Sequence, residues 1–154
     1  MIKEAQTIHL FRQEHDDDIA DCVRYFNLEA SNAAALGAVP ASATTNLTLA
    51  GGGLVATDNV TLVTNRNVSV TADATLAVAA NKTLTINGAI AGSGGLTATG
   101  NGILALGSAN TYSGNTRVAA GTLALGNSNA LAGSTLDLAS ADLGSLSLGT
   151  LTAA

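Results

Sequence analysis

Few residues of this 154-residue chain are of types that do chemistry, and their spacing decides what each group is worth. His9, His15 and Cys22, with Glu14 and Asp16–Asp18 nearby, carry atoms that bind transition metals. The two histidines lie six apart, off a common helical face, and match no compact ligand pattern. No metal site is expected, and Asp16–Asp18 reads as the solvated, dipole-favoured start of a helix. Beyond residue 36 the acids are Asp58, Asp73, Asp137 and Asp142, and the one aromatic is Tyr112. Glycoside cleavage needs a placed pair of carboxylates. Only Asp137 and Asp142 are close in sequence, so neither catalysis nor a cofactor is expected.

Four sequons, at Asn46-Leu47-Thr48, Asn59-Val60-Thr61, Asn67-Val68-Ser69 and Asn81-Lys82-Thr83, fit N-glycosylation formally. They read better as repeat grammar. Asn ends a turn because it tolerates left-handed backbone, and the following residues open a strand. Gly51-Gly52-Gly53 lacks the Gly-x-Asp spacing of calcium-binding nonapeptides. Thr83-Leu84-Thr85 and Thr97-Ala98-Thr99 carry the ordinary outward residue of a neutral strand face.

The elements that must position these residues follow from composition. Charged residues make up 11%, well below the usual quarter, and all 17 glycines fall from Gly37 onward. A chain poor in charge and rich in Gly, Thr, Asn, Ala and Leu suits short strands joined by tight turns. The net charge of −5 is concentrated before residue 30, and only Arg66, Lys82 and Arg117 follow as bases, too few for a nucleic-acid patch. Cys22 is alone, so no internal disulfide forms. No run reaches the length of a membrane span, and no convincing signal peptide is present, so direct membrane insertion is not expected.

Residues 1–36 form a charged segment that holds Phe11, Tyr25 and Phe26. Ile8 and Leu10 permit a short strand. Ile19, Cys22, Val23 and Phe26 recur at helical spacing, which predicts a helix over 16–29, ended at the latest by Gly37 and Pro40. Residues 37–45 read as a linker. From residue 46 to 154 apolar pairs two apart recur between Gly and Asn turns: Leu47/Leu49, Val60/Leu62, Val68/Val70, Leu76/Val78, Leu84/Ile86, Leu104/Leu106, Leu123/Leu125, Leu136/Leu138 and Leu146/Leu148. Each pair shares one strand face. At about 20 residues per turn this predicts an all-β solenoid, a parallel β-helix of about five coils. A strand-and-turn unit this short buries its apolar face only by stacking on its own kind.

The clearest repeat is Gly102-Ile103-Leu104-Ala105-Leu106-Gly107 against Gly121-Thr122-Leu123-Ala124-Leu125-Gly126, 19 residues apart. Between them lie Asn110, Thr111, Tyr112, Gly114, Thr116 and Val118. Tyr112 is expected at a coil corner, shielding backbone hydrogen bonds. This stretch resembles the autotransporter-associated β-strand repeat of bacterial passenger domains. Gly102, Leu104, Leu106, Asn110, Thr111, Tyr112, Gly114, Thr116, Val118, Gly121, Thr122, Leu123 and Leu125 carry the motif, with Ala98 and Ile103 departing from it. The resemblance implies a right-handed β-helix and a structural, non-enzymatic stalk in an extracellular or outer-membrane-surface protein exported by type V secretion. It further implies that the chain is a piece of a longer passenger, with neighbouring coils as partners and uncapped ends able to self-associate. The alternative is an adhesive module contacting host glycan, matrix or other copies of itself.

Overall fold

The computed structural model describes residues 27–137, 139 and 141–148. The chain winds through about five coils whose strands build three all-parallel sheets, the first three coils contributing to all three and the last two to two of them. Strand β1 (Asn27–Ala30) precedes them. The first coil holds β2 (Thr44–Ala50), β3 (Gly53–Ala56) and β4 (Val60–Leu62). The second holds β5 (Arg66–Ala72), β6 (Ala74–Val78) and β7 (Thr83–Ile86). The third holds β8 (Ile90–Ala91), β9 (Leu96–Thr99) and β10 (Ile103–Leu106). The fourth contributes β11 (Thr116–Val118) and β12 (Thr122–Leu125), and the fifth β13 (Leu136–Asp137) and β14 (Ser145–Ser147). The sheets run β1-β3-β6-β9-β11-β13, β4-β7-β10-β12-β14 and β2-β5-β8.

Period-two alternation becomes columns in this stack. Val60, Leu84, Leu104, Leu123 and Leu146 lie in register on the five-stranded sheet, with Leu62, Ile86, Leu106 and Leu125 beside them. Leu28, Leu54, Leu76, Ala98 and Val118 form the matching column of the six-stranded sheet. Apart from Leu146 these side chains are buried, and together they make one continuous core. Burying each aliphatic side chain contributes about 1.5–3 kcal/mol, and in-register stacking spends that area on neighbouring coils.

Corners are set by residues that tolerate left-handed backbone. The turn from the six- to the five-stranded sheet uses Asn81 (φ 62°), Gly100 (φ 81°) and Gly121 (φ 75°) in successive coils. A Cβ on Gly121 would also stand 2.6 Å from the carbonyl oxygens of Gly100 and Gly102, so the close approach of coils excludes any other residue.

At the first described residues the structure differs from the expected helix. The residues predicted to end it, 27–29, belong to β1, which pairs in register with β3 and buries Leu28 and Ala30. Leu28 and Ala30 lie two apart, and once β3 offers an edge, strand pairing satisfies their backbone better than a helix end would. A 3-10 turn over Ala33–Leu36 follows, capped by the Asn32 side chain accepting from the Ala35 N–H and ended at Gly37 (φ 84°). The expected linker is fastened down as well. Thr44 and Thr45 already belong to β2, and the Asn65 amide donates to the carbonyls of Pro40 and Ala41 at 3.3 Å. The Ile8/Leu10 strand, the helix up to residue 26, the second residue of the Leu136/Leu138 pair and the metal candidates His9, Glu14, His15, Asp16–Asp18 and Cys22 lie outside the described residues. The last coil buries less than its alternation promises, with Leu146 37% and Leu148 55% exposed, because no described strand stacks on its far side.

Candidate functional site

The repeat unit is the part of the structure to which the sequence assigns residues. Its paired leucines stand where the 19-residue offset puts them: Leu104 opposite Leu123 and Leu106 opposite Leu125, all buried. Thr122 and Ala124 alternate with them and stay half-exposed. Gly102 lies against the previous coil, where a Cβ would meet the Ala79 carbonyl oxygen at 2.4 Å. At Gly114 a Cβ would meet the backbone of Gly94 and Gly95 at 2.3 Å. Thr111 is exposed and its N–H donates to the Ile90 carbonyl at 2.8 Å, which carries the three-stranded sheet's column into the fourth coil.

Asn110 joins three coils. It is buried, its Oδ1 accepts from the Ile90 N–H at 2.9 Å, and its Nδ2 donates to the Ala130 carbonyl at 2.9 Å. Other corner residues stitch coils in the same manner. Asn59 accepts from the Thr83 N–H, Asn67 from Ala89 and Asp73 from Gly95. The sequon asparagines therefore act as structure. Asn59 and Asn67 use their side chains as inter-coil acceptors, Asn46 accepts from Arg66, and Asn81 supplies left-handed backbone.

Tyr112 is buried as part of the core cluster. Its hydroxyl pairs with Thr116 Oγ1 at 2.5 Å, Thr116 Oγ1 with Ser134 Oγ at 2.7 Å, and Ser134 donates to the Gly114 carbonyl at 2.6 Å. Thr116 is buried because it shares the inward phase of Val118. Burial pushes the phenol pKa above its ordinary value near 10, against the opposing pull of the bonds with Thr116 and Ser134. A raised folded pKa gives stability that is present below the unfolded value and lost as pH rises past about 10. Melting curves collected up to alkaline pH should therefore show a fall in stability that Tyr112→Phe removes. Unchanged alkaline behaviour in that variant would mean that the phenol is not the responsible group.

Arg66 was not legible as important, yet it heads the large fully buried side chains among the described residues. From the first position of β5 its guanidinium donates to the Leu36 carbonyl at 2.7 Å, the Gly37 carbonyl at 2.8 Å and the Asn46 side-chain oxygen. These carbonyls end the 3-10 turn, where backbone acceptors have no partner of their own. The interaction clamps the start of the fold to the first two coils. Desolvation lowers the pKa of Arg66, and its Nε has no hydrogen-bond partner among the described residues. A signal was available: Arg66, Val68 and Val70 lie two apart, which gives Arg66 the phase of the core.

The four acids beyond residue 36 occupy different places. Asp58 is exposed and pairs with Lys82 at 2.7 Å across two coils, and hydrogen bonding to Lys82 depresses its pKa. Asp142, whose side chain is only 6% exposed, pairs with Arg117 at 2.7 Å and ties the loop of the last coil to β11. That bond lowers the Asp142 pKa and raises that of Arg117. Asp73 and Asp137, 64 positions apart in sequence, line one shallow cleft with Thr97, Asn115 and Arg117. Among the described residues no group of three or more His, Cys, Asp or Glu side chains is placed to hold a metal, and no helix is long and apolar enough to cross a membrane.

The family model of the passenger-associated-transport-repeat matches residues 96–125, from the first residue of β9 to the last of β12. The matched segment spans the whole of the inter-leucine unit whose geometry is given above. No curated protein and no solved structure matches the chain.

Proposed function

We propose that this chain is a spacer segment of a secreted or surface-exposed passenger of the autotransporter type, stacked on further coils of a longer passenger. The repeat family implies an extracellular or surface location, and it fits a passenger segment. The observation that carries the reading is the in-register ladder of residues 83–86, 103–106 and 122–125, where the matched repeat continues the hydrogen bonding and aliphatic columns of the coil before it. Such a stack is a rod whose length grows by about 4.8 Å per coil. Its coils fold by adding to a neighbour, so successive folding outside the cell opposes backward movement of the chain. We assign it no catalytic role.

A spacer tolerates a change in length, whereas a role tied to one coil does not. Deleting residues 103–121 joins Gly102 to Thr122 and places Leu123 in the register position of Leu104. The expected result is a retained β circular-dichroism spectrum and retained surface display of the parent passenger. Loss of display with the β spectrum intact would sink the spacer reading, because a specific feature of that coil would then be required.

A further inference from the structure

The two ends of the stack differ in how well they are covered. β2 and β4 begin their sheets, yet Leu49 and Leu62 on them are 0% exposed. At the other end Leu146, on the strand that finishes the five-stranded sheet, and Leu148 just after it stand open. Residues 27–43 account for the difference. β1 lies on β3, and its Ala30 carbonyl accepts from the Thr57 N–H at 3.0 Å. The 3-10 turn Ala33–Leu36 packs on β4 with Ala35 buried, in the place that one more strand of the five-stranded sheet would take. Its bonds run within itself, from the Ala35 N–H to Asn32 and from the Gly37 N–H to Ala34, so it offers no strand edge. Among the described residues β1 pairs only with β3, but a coil stacked on β1 would meet the turn where its next strand must go. We propose that residues 27–43 are a strap that seals the first end of the stack against the open last coil of a second copy, with Arg66 as its latch.

The latch follows from the hydrogen bonds. Arg66 holds the strap by the carbonyls of Leu36 and Gly37 at 2.7 and 2.8 Å, and Asn65 holds it by those of Pro40 and Ala41 at 3.3 Å. The Arg66 bonds are buried and charge-assisted, whereas those of Asn65 are neutral and longer, so Arg66 carries most of the hold. The partner follows from the register. Val60 and Leu146 stand first and last in one column of parallel strands. With the strap displaced, β4 of one copy therefore presents the edge that continues β14 of another, and the column runs on from chain to chain. β14 is Ser145-Leu146-Ser147, with no charge, proline or bulge to blunt its edge. Joining a first end to a last end is a heterologous contact that does not close, so it builds filaments rather than dimers. In a longer passenger the sealed end leaves further coils only the last coil to continue from. That consequence rests on the passenger reading above; the strap does not.

The test follows the mass of the full chain by sedimentation velocity, beside its circular-dichroism spectrum. Arg66→Ala releases the latch, and Ala35→Asp forces a carboxylate into the strap's own buried contact while leaving every coil residue unchanged. Both variants should keep most of the β spectrum and form species whose mass rises with protein concentration past that of a dimer, which the unaltered chain should not. Adding Leu146→Lys to either variant blunts the last edge and should return the mass to that of the unaltered chain. The proposal is overturned if neither strap variant grows, if the large species survive Leu146→Lys, or if the unaltered chain forms them too. Loss of the β spectrum in both variants would also overturn it, because residues 27–43 would then belong to the core rather than close it. The coil deletion leaves both ends in place, so the spacer reading and the strap stand or fall separately.

Discussion

Replacing Leu123 with alanine is expected to cost about 2–5 kcal/mol, the range for a fully buried leucine whose surroundings relax only in part. Leu123 is 0% exposed and stands in register between Leu104 below and Leu146 above, so the cavity opens in the middle of a column. Because coils are stabilised mainly by their neighbours, the damage should appear first as release of the fifth coil, seen as faster amide exchange in β14 than in β7. Leu123→Asp should unfold more of the stack, since the buried carboxylate finds no base in the column. The flanking positions supply the control. Thr122 and Ala124 are half-exposed, and Thr122→Ser and Ala124→Ser should change stability by no more than about 0.5 kcal/mol. Equal sensitivity at 122, 123 and 124 would require burial on both strand faces and would contradict the solenoid.

The second large effect is expected at Arg66. Arg66→Ala removes donors from the Leu36 and Gly37 carbonyls and from Asn46, and a cost of about 2–4 kcal/mol follows from losing bonds to a charged donor. The buried charge itself lowers that figure, because its desolvation penalty disappears with it. Arg66→Lys should recover little, since a single ammonium cannot reproduce the planar fork that reaches two carbonyls and an amide. The loss should be local: β1 and the turn at 33–36 should exchange amide protons freely while β10 and β12 stay protected. Full protection of the turn in Arg66→Ala would show that the clamp is dispensable.

The alternation of Leu104/Leu106 and Leu123/Leu125 was enough to specify strands, their inward face and the stacking of like on like. A side-chain period of two leaves one way to bury those leucines, and a 19-residue offset leaves one register. Thr116 and Arg66 share the phase of Val118 and Val70, a signal the sequence reading does not use because polar residues are not ordinarily expected inside. Sequence could not decide the end of the chain's first segment. Leu28 and Ala30 sit at strand spacing, yet the preceding apolar residues run at helical spacing, and only the free edge of β3 settles which period governs there. It was equally silent on what satisfies Arg66, since Leu36, Gly37 and Asn46 reach it only through winding. The cleft belongs to the same class. Thr97, Arg117 and Asp137 are each unremarkable along the chain and line up because parallel coils 20 residues apart bring one position of each turn to the same line on the surface, with Asp73 joining them from the turn before β6. Local periodicity fixes which way a side chain points, while its neighbours across coils depend on turn lengths that only the folded stack reveals.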